Sequence, residues 1–355
     1  MRKHSKTKSL TRMSPAKKSN KNLGFVDSKG FVGNMELDLL KECADARRIA
    51  ITGHQKPDGD CVGACLATWY YLKNNLKDAE VLTFLEEPDP VFAELAGYDE
   101  IITDFPEEAP FDVLFILDCN LERTGLAAKY ANGAGKIINV DHHVTNANGC
   151  GDLNYVNPKV GSACELIYDL VEKDRLDAEL AKSIYVGMVH DTGVFQYENT
   201  TPETMRKAAH LISFGFDFYR IIQETFYQKT YVQAQIMGRA LMESVRFMDG
   251  RCIVSVIDRR TMDFYGVTNR DFEGIVNQLR NIKGVSCAIF MYETDTLEFK
   301  VSLRTDQSVD AAKVAAYFGG GGHARAAGCT MKGTFYDCVN NLSAEIEKQL
   351  EWQTC

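Results

Sequence analysis

The chain has 355 residues, 45% of them apolar and 25% charged, ordinary globular composition and enough length for two domains, each with its own core. No apolar run approaches the length a membrane helix needs, and no short apolar block follows the N-terminus, so the expected location is the cytoplasm. The net charge is −9, yet the first 22 residues carry eight Lys or Arg and no acid, which leaves −17 for the remainder. A body that acidic is not built to coat phosphates, and no stable long nucleic-acid partner and no membrane partner are expected. Eleven cysteines with no CxxC pair argue against a zinc ribbon or a redox motif; reduced, mostly buried thiols are expected instead.

Residues 1–33 read as a basic disordered tail, alternatively as an RNA-attracting arm or an organellar transit peptide. From Met35 the pattern alternates. Helical spacing over Met35–Arg47 precedes a short buried strand at Arg48–Thr52, and a helix follows over Cys61–Leu72. Val81–Leu85, Val113–Leu117 and Lys136–Val140 read as strands, and Ser162–Val171 and Ala178–Val189 as helices. Pro202–Phe214, Phe218–Phe226 and Thr230–Ser244 are further helices. The periodicity then changes, with strands at Cys252–Ile257, Val285–Tyr292 and Glu298–Leu303, a turn at 293–296, and helices at Asp310–Phe318 and Tyr336–Leu350. The fold class is α/β: a parallel-sheet N-terminal domain over 34–228 with helices on both faces, a linker helix over 229–245, and a smaller mixed α/β domain over 246–355. In such a parallel sheet the ligand site lies beyond the carboxyl ends of the strands.

Four clusters fall at the carboxyl ends of successive elements. His54-Gln-Lys-Pro-Asp58-Gly-Asp60 follows the first strand; a helix cap by Asp60 would explain part of it. Asp118 ends the all-apolar strand Val113–Leu117, with Arg123 close behind, a cation placed to face an anion. Asp141-His142-His143 ends the next strand, the acid suited to fixing an imidazole tautomer. Val186–His190 runs into Asp191-Thr192-Gly193; one Asp-Thr-Gly after a helix rules out an aspartic protease, which needs two in β-rich lobes. Four Asp and two His are enough to hold two divalent ions with open positions, and mixed imidazole and carboxylate ligation suits Mn²⁺, with Mg²⁺, Co²⁺ or Zn²⁺ as substitutes. His190 receives no role. Near the C-terminus, Gly319, Gly320, Gly321 and Gly322 precede His323; alone they read as a flexible turn or as backbone that approaches a phosphate closely.

The order HxxxDxD, Asp, Asp-His-His, Asp-Thr-Gly, with the glycine-rich stretch Gly319–Gly328, resembles the DHH phosphoesterase superfamily with its DHH-associated C-terminal domain, and most closely its nanoRNase/pAp-phosphatase group. The resemblance covers residues 35–350. It implies hydrolysis of short oligoribonucleotides and 3′-phosphoadenosine 5′-phosphate by hydroxide attack assisted by two metal ions. His54 and Asp58 would hold one ion, Asp60 and His142 the other, with Asp118 and Asp191 shared. His143 would meet the scissile phosphate or its leaving group and Asp141 would orient the histidine pair. Arg304 is similar to the arginine the family uses on a terminal phosphate, with Arg325 as a helper or a solvated surface residue, and a homodimer is left open. The alternatives are a cyclic- or linear-dinucleotide phosphodiesterase on the same scaffold, a RecJ-type exonuclease, a family II pyrophosphatase, and a nucleotide-binding regulator without turnover.

Overall fold

Two compact units, Met1–Tyr227 and Gln228–Cys355, make up the computed structural model, in which residues 32–33 and 37–351 are described. The first contains β1 (Val32–Gly33), α1 (Leu39–Glu42), β2 (Arg48–Thr52), α2 (Gly59–Asn75), β3 (Glu80–Phe84), β4 (Ile101–Ile102), β5 (Val113–Leu117), β6 (Lys136–Asp141), β7 (Leu153–Val156), α3 (Ala163–Leu170), α4 (Ala178–Asp191), α5 (Pro202–Ile212) and α6 (Phe218–Ile221). Its seven strands lie in the order β1-β7-β6-β5-β2-β3-β4, parallel throughout except for the antiparallel β1–β7 pair. The chain builds outward from β2 through β3 and β4, then returns to lay β5, β6 and β7 on the other side. β2 and β5 are therefore neighbours across the topological switch point, where such sheets open a crevice at their carboxyl ends.

The local reasons are plain. Every residue of β5 is buried, as a central parallel strand covered on both faces requires. Helix α2 is apolar nearly all round and buried along most of its length, packed between the sheet and α4. On one sheet face Ile49, Ile51, Phe115 and Leu117 meet α2, α3 and α4; on the other, Ala50, Phe84, Leu114 and Ile116 meet Phe111 and Tyr130 of the 3-10 segment Leu121–Ala131 and its neighbouring loop.

Three elements depart from expectation. The helix predicted over Met35–Arg47 is a single turn, α1, capped by the Asp38 carboxylate. The predicted helix Phe218–Phe226 changes character after Ile221 and continues as a π-helical turn, Ile222–Tyr227. Val32 and Gly33, read as part of the tail, pair with Val156 and Tyr155; the expectation of disorder over 1–31 lies outside the described residues.

The second unit contains α7 (Tyr231–Met242), β8 (Val245–Phe247), β9 (Cys252–Ile257), α8 (Arg259–Tyr265), α9 (Ile275–Arg280), β10 (Cys287–Asp295), β11 (Glu298–Thr305), α10 (Ala311–Tyr317), β12 (Gly321–His323), β13 (Ala326–Lys332) and α11 (Phe335–Glu351). Its sheet runs β12-β13-β11-β10-β9-β8 and mixes one parallel pair, β9–β10, with antiparallel neighbours. Alternate residues of β10 point to two cores: Ile289 and Met291 join Val314, Leu342 and Ile346 from α10 and α11, while Ala288 and Phe290 join Ile236, Met262 and Leu279 from α7, α8 and α9. The glycine-rich stretch is not a free loop. Gly321–His323 pair with Ala326–Gly328 as a strand, and a Cβ on Gly320 would lie 2.2 Å from the Gly328 carbonyl oxygen, so close backbone approach already requires glycine there.

Candidate metal centre at the sheet's switch point

Seven of the singled-out side chains converge. β2 ends at Thr52 and delivers His54; β5 ends at Leu117 and delivers Asp118; β6 ends at Asp141 and delivers His142 and His143. Asp58 and Asp60 come from the start of α2, and Asp191 from the end of α4. The helix begins at Gly59 and its cap is Asp58, whose Oδ1 accepts from the amides of Asp60 and Cys61 at 3.1 Å each, so the expected cap by Asp60 is corrected. Asp60 turns the other way. Its buried carboxylate accepts from the Ala163 and Cys164 amides at the start of α3, at 2.5 and 2.9 Å.

His142 Nε2 lies 3.0 Å from Asp191 Oδ2, 3.3 Å from Asp118 Oδ1 and 3.8 Å from Asp60 Oδ2. His54 Nε2 lies 3.4 Å from Asp118 Oδ2 and 3.6 Å from Asp58 Oδ1. Its Nδ1 stands 2.9 Å from the Gln55 carbonyl, which only accepts, so Nδ1 carries a hydrogen and Nε2 is the atom turned toward the carboxylates. The two oxygens of Asp118 thus face two different histidines. Asp118 holds this position at φ +58°, a left-handed backbone that Asp tolerates better than most residues.

Burial raises the Asp60 carboxyl well above its usual range, and Asp118 and Asp191 repel it further. Burial would also raise Asp118, but the imidazoles of His142 and His54 outweigh that and hold it low. Burial opposes charge on His142, yet Asp118 and Asp191 drive its pKa well above that of an ordinary histidine. Positive charge is therefore drawn to this spot. Asp118 Oδ1 and His142 Nε2 are both buried without an aligned hydrogen-bond partner, a costly state for a protein to retain. Ligand atoms around a shared octahedral cation sit about 3 Å apart, the edge of an octahedron with bonds near 2.1 Å. Buried orphan atoms at that spacing, all imidazole nitrogen or carboxylate oxygen, fit divalent ions. His54–Cys61–Asp118, Asp118–His142–His143 and Asp60–His142–Asp191 each bring their ligand atoms within 4.8 Å of one another. Cys61 in the first group was not expected as a neighbour of the site.

His143, whose Nδ1 lies 3.6 Å from Asp118 Oδ1, also belongs to a second chain of contacts. Asp141 Oδ1 accepts from His143 Nδ1 at 2.7 Å and from its backbone amide at 3.1 Å. Asp141 Oδ2 accepts from Asn146 Nδ2, which also donates to Asn139 Oδ1 at 2.9 Å. Arg123 Nη1 stands 3.4 Å from His143 Nε2. Asn139 and Asn146 were missed in the sequence; the available signal was an amide inside the otherwise apolar run 137–140, where a buried polar group needs a partner. Asp191 is joined through its backbone carbonyl by Asn199 Nδ2 at 3.1 Å, another unread contact.

In the second unit His323, Ala326 and Arg304 are consecutive partners across β12, β13 and β11. Directly paired residues share a sheet face, so Arg304 and His323 point to one side. Arg325 instead donates to the Asp306 carbonyl, which does not favour the helper role.

A parallel sheet that gathers Asp and His at its switch point, followed by a separate mixed-sheet unit, defines a two-unit hydrolytic enzyme with a candidate metal centre. Family models agree on both halves: the DHH family N-terminal domain matches residues 48–188 and the DHHA1 domain matches 249–351. The chain belongs to the DHH phosphoesterase family. The bifunctional oligoribonuclease and PAP phosphatase NrnA of Thermus thermophilus is 30% identical over 292 residues, covering 81% of this chain and 86% of that protein. NrnA of Bacillus subtilis is 26% identical over 319 residues, covering 88% of this chain and 98% of that one. Among solved structures, an exopolyphosphatase-related protein from Bacteroides fragilis superposes with a TM-score of 0.80 at 26% identity, covering 89% of this chain and 96% of that one. Among the described residues no helix is long and apolar enough to cross a membrane.

Proposed function

We propose that this enzyme hydrolyses short oligoribonucleotides and 3′-phosphoadenosine 5′-phosphate, with two divalent cations, Mn²⁺ foremost, held by His54, Asp58, Asp60, Asp118, His142 and Asp191. The observation that carries the reading is the approach of His142 Nε2 to three carboxylates within 3.8 Å, beside an orphaned Asp118 Oδ1. The names of the relatives supply the substrate class. Ions bound there supply Lewis acidity and a strong nucleophile from water at neutral pH.

The chain's own residues do the rest. Asp118 divides its two oxygens between the His54 and His142 sides and fixes their separation. Asp141 holds the hydrogen of His143 on Nδ1, so Nε2 is the atom that takes a proton and returns it to the leaving oxygen. Arg123 beside Nε2 offers its exposed guanidinium to phosphate charge. The second unit, whose core takes in the helix read as a linker over 229–245, is the substrate-binding domain, and Arg304 and His323 on their shared sheet face, with Gly319–Gly322, receive a terminal phosphate. Ten described cysteines, all free, support a reducing cytoplasm.

The test is a panel of RNA dinucleotides, 3′-phosphoadenosine 5′-phosphate and a cyclic dinucleotide, incubated with purified protein and Mn²⁺. Mononucleotide and phosphate release from the first two, lost in Asp118→Asn, is the expected result. Turnover of the cyclic dinucleotide alone, or turnover unaffected by that substitution, overturns the reading.

A further inference from the structure

His190, unassigned in the sequence, sits where three elements meet. Gly59, between Asp58 and Asp60, lies directly against its ring: a Cβ on Gly59 would fall 2.2 Å from His190 Cγ and 2.6 Å from Nδ1. Phe92 meets the imidazole edge-on with ring centres 5.1 Å apart, and Phe226 does so at 5.6 Å. His190 Nε2 stands 3.0 Å from Thr225 Oγ1. The Thr225 hydroxyl donates its own hydrogen to the Ile221 carbonyl at 2.9 Å, so toward His190 it accepts, and Nε2 is the donor. Thr225 and Phe226 belong to the π-helical turn Ile222–Tyr227, a wide turn of a kind frequent at functional sites.

The consequence is a mechanical link. The residue after His190 is Asp191, and the residues flanking Gly59 are Asp58 and Asp60. One ring therefore spaces carboxylates from the two helix termini that face each other across the metal centre. We propose that His190 is a positioning residue, a spacer anchored by Thr225 that sets the distance between the Asp58–Asp60 turn and Asp191 and so tunes the grip on the ion pair. This rests on the reading that those carboxylates hold ions.

Partners that orient ligands typically contribute 10- to 100-fold in metal affinity or activity. Mn²⁺ binding, followed by the loss of the free-ion paramagnetic resonance signal, should weaken about tenfold in His190→Ala, with kcat falling alongside and KM for an RNA dinucleotide little changed. His190→Gln, whose amide nitrogen can donate to Thr225, should recover much of the loss, and Thr225→Val should reproduce it. Gly59→Ala should impair Mn²⁺ binding in the normal background and much less beside His190→Ala, because the clash disappears with the ring. A purely structural role would lower the melting temperature and leave Mn²⁺ affinity unmoved. Folded His190→Ala and Thr225→Val proteins with unchanged Mn²⁺ affinity and kcat overturn the proposal, as does an equal Gly59→Ala penalty in both backgrounds. If His190→Ala fails to fold, Thr225→Val and Gly59→Ala decide the matter. Equal Mn²⁺ binding by the normal protein and Asp118→Asn overturns the underlying metal reading, and the spacer role with it.

Discussion

Asp141 Oδ1 lies 2.7 Å from His143 Nδ1, while its other oxygen is held by Asn146 Nδ2, also at 2.7 Å. The carboxylate is pinned at both ends, so the imidazole has one orientation and one tautomer. Asn146→Ala frees Oδ2 and leaves the buried Asn139 side chain short of a donor. It should lower kcat about tenfold, the smaller end of what such supporting contacts contribute. Mn²⁺ affinity should move far less, since Asn146 reaches His143 and none of the six proposed ligands. Steady-state kinetics with a parallel Mn²⁺ titration checks both halves; a larger drop in Mn²⁺ affinity than in kcat would contradict this division of labour.

The φ of +58° at Asp118 makes the choice of substitution matter. Alanine there removes the carboxylate and also the short polar side chain that lets Asp and Asn adopt a left-handed conformation more readily than other residues, mixing two effects. Asn tolerates that conformation, so Asp118→Asn isolates the charge. Activity should fall by at least about 100-fold, and the metal-free melting temperature should fall modestly, because the imidazoles of His142 and His54 favour the ionised carboxylate in the folded state. Thermal melts without metal, set beside turnover with Mn²⁺, separate the two.

The sheet strands were legible because each is short, apolar and followed by a polar turn: Arg48–Thr52, Val113–Leu117 and most of Lys136–Asp141 fall where their side chains predict. Strand β7 was not, since three of its four residues are only half-buried and Asn154 interrupts the pattern. Helix α9 was missed because it has six residues and starts at a glycine without a side-chain cap. Strand β12 was hidden by glycines, whose lack of a side chain erases any alternation, while β13 was missed although Ala327, Cys329 and Met331 alternate as its buried face. At the candidate site, the ligand-type residues could be read because Asp and His at strand ends advertise themselves. Their supports could not. Asn146 contacts Asp141 five residues back, a spacing with no regular period, and Thr225 and Cys61 meet His190 and Asp118 across long stretches of chain, so little in the local pattern records them.

Asp60, Asp118 and Asp191 crowd around one imidazole, and their mutual repulsion raises Asp60 on top of its burial. Divalent ions that neutralise this cluster bind the folded state and not the unfolded chain. At a concentration 100 times the dissociation constant, that stabilises by about 2.7 kcal/mol. For a unit of this size the melting temperature should then rise by about 5 to 10 °C with Mn²⁺ and fall back on chelation. The shift should vanish in Asp118→Asn. An equal shift in that variant would place the stabilising ion elsewhere.

The frame that carries His54 is held by a carboxylate outside the site itself. Asp112, just before β5, accepts from the backbone amides of Arg47 at 2.8 Å and Arg48 at 2.9 Å, just where β2 begins. Those two amide bonds hold its carboxyl below the usual range, outweighing a slight desolvation, and the nearby guanidinium charges lower it further. Arg48 in turn reaches Glu80 and Glu108 and lies 4.7 Å from the Phe111 ring centre, so the contact ties together three segments. A depressed folded-state pKa means the ionised form favours folding. Its contribution is complete above the unfolded value of about 3.9 and disappears as pH falls through the lower folded value. Asp112→Asn keeps an acceptor and loses the charge, so its melting temperature should lie below that of the normal protein by a constant gap between about pH 5 and pH 8. Below about pH 4 the gap should close. Because Asp112 is solvent-exposed, salt should shrink it as well. A gap that widens on acidification would mean that Asp112 acts through shape rather than charge.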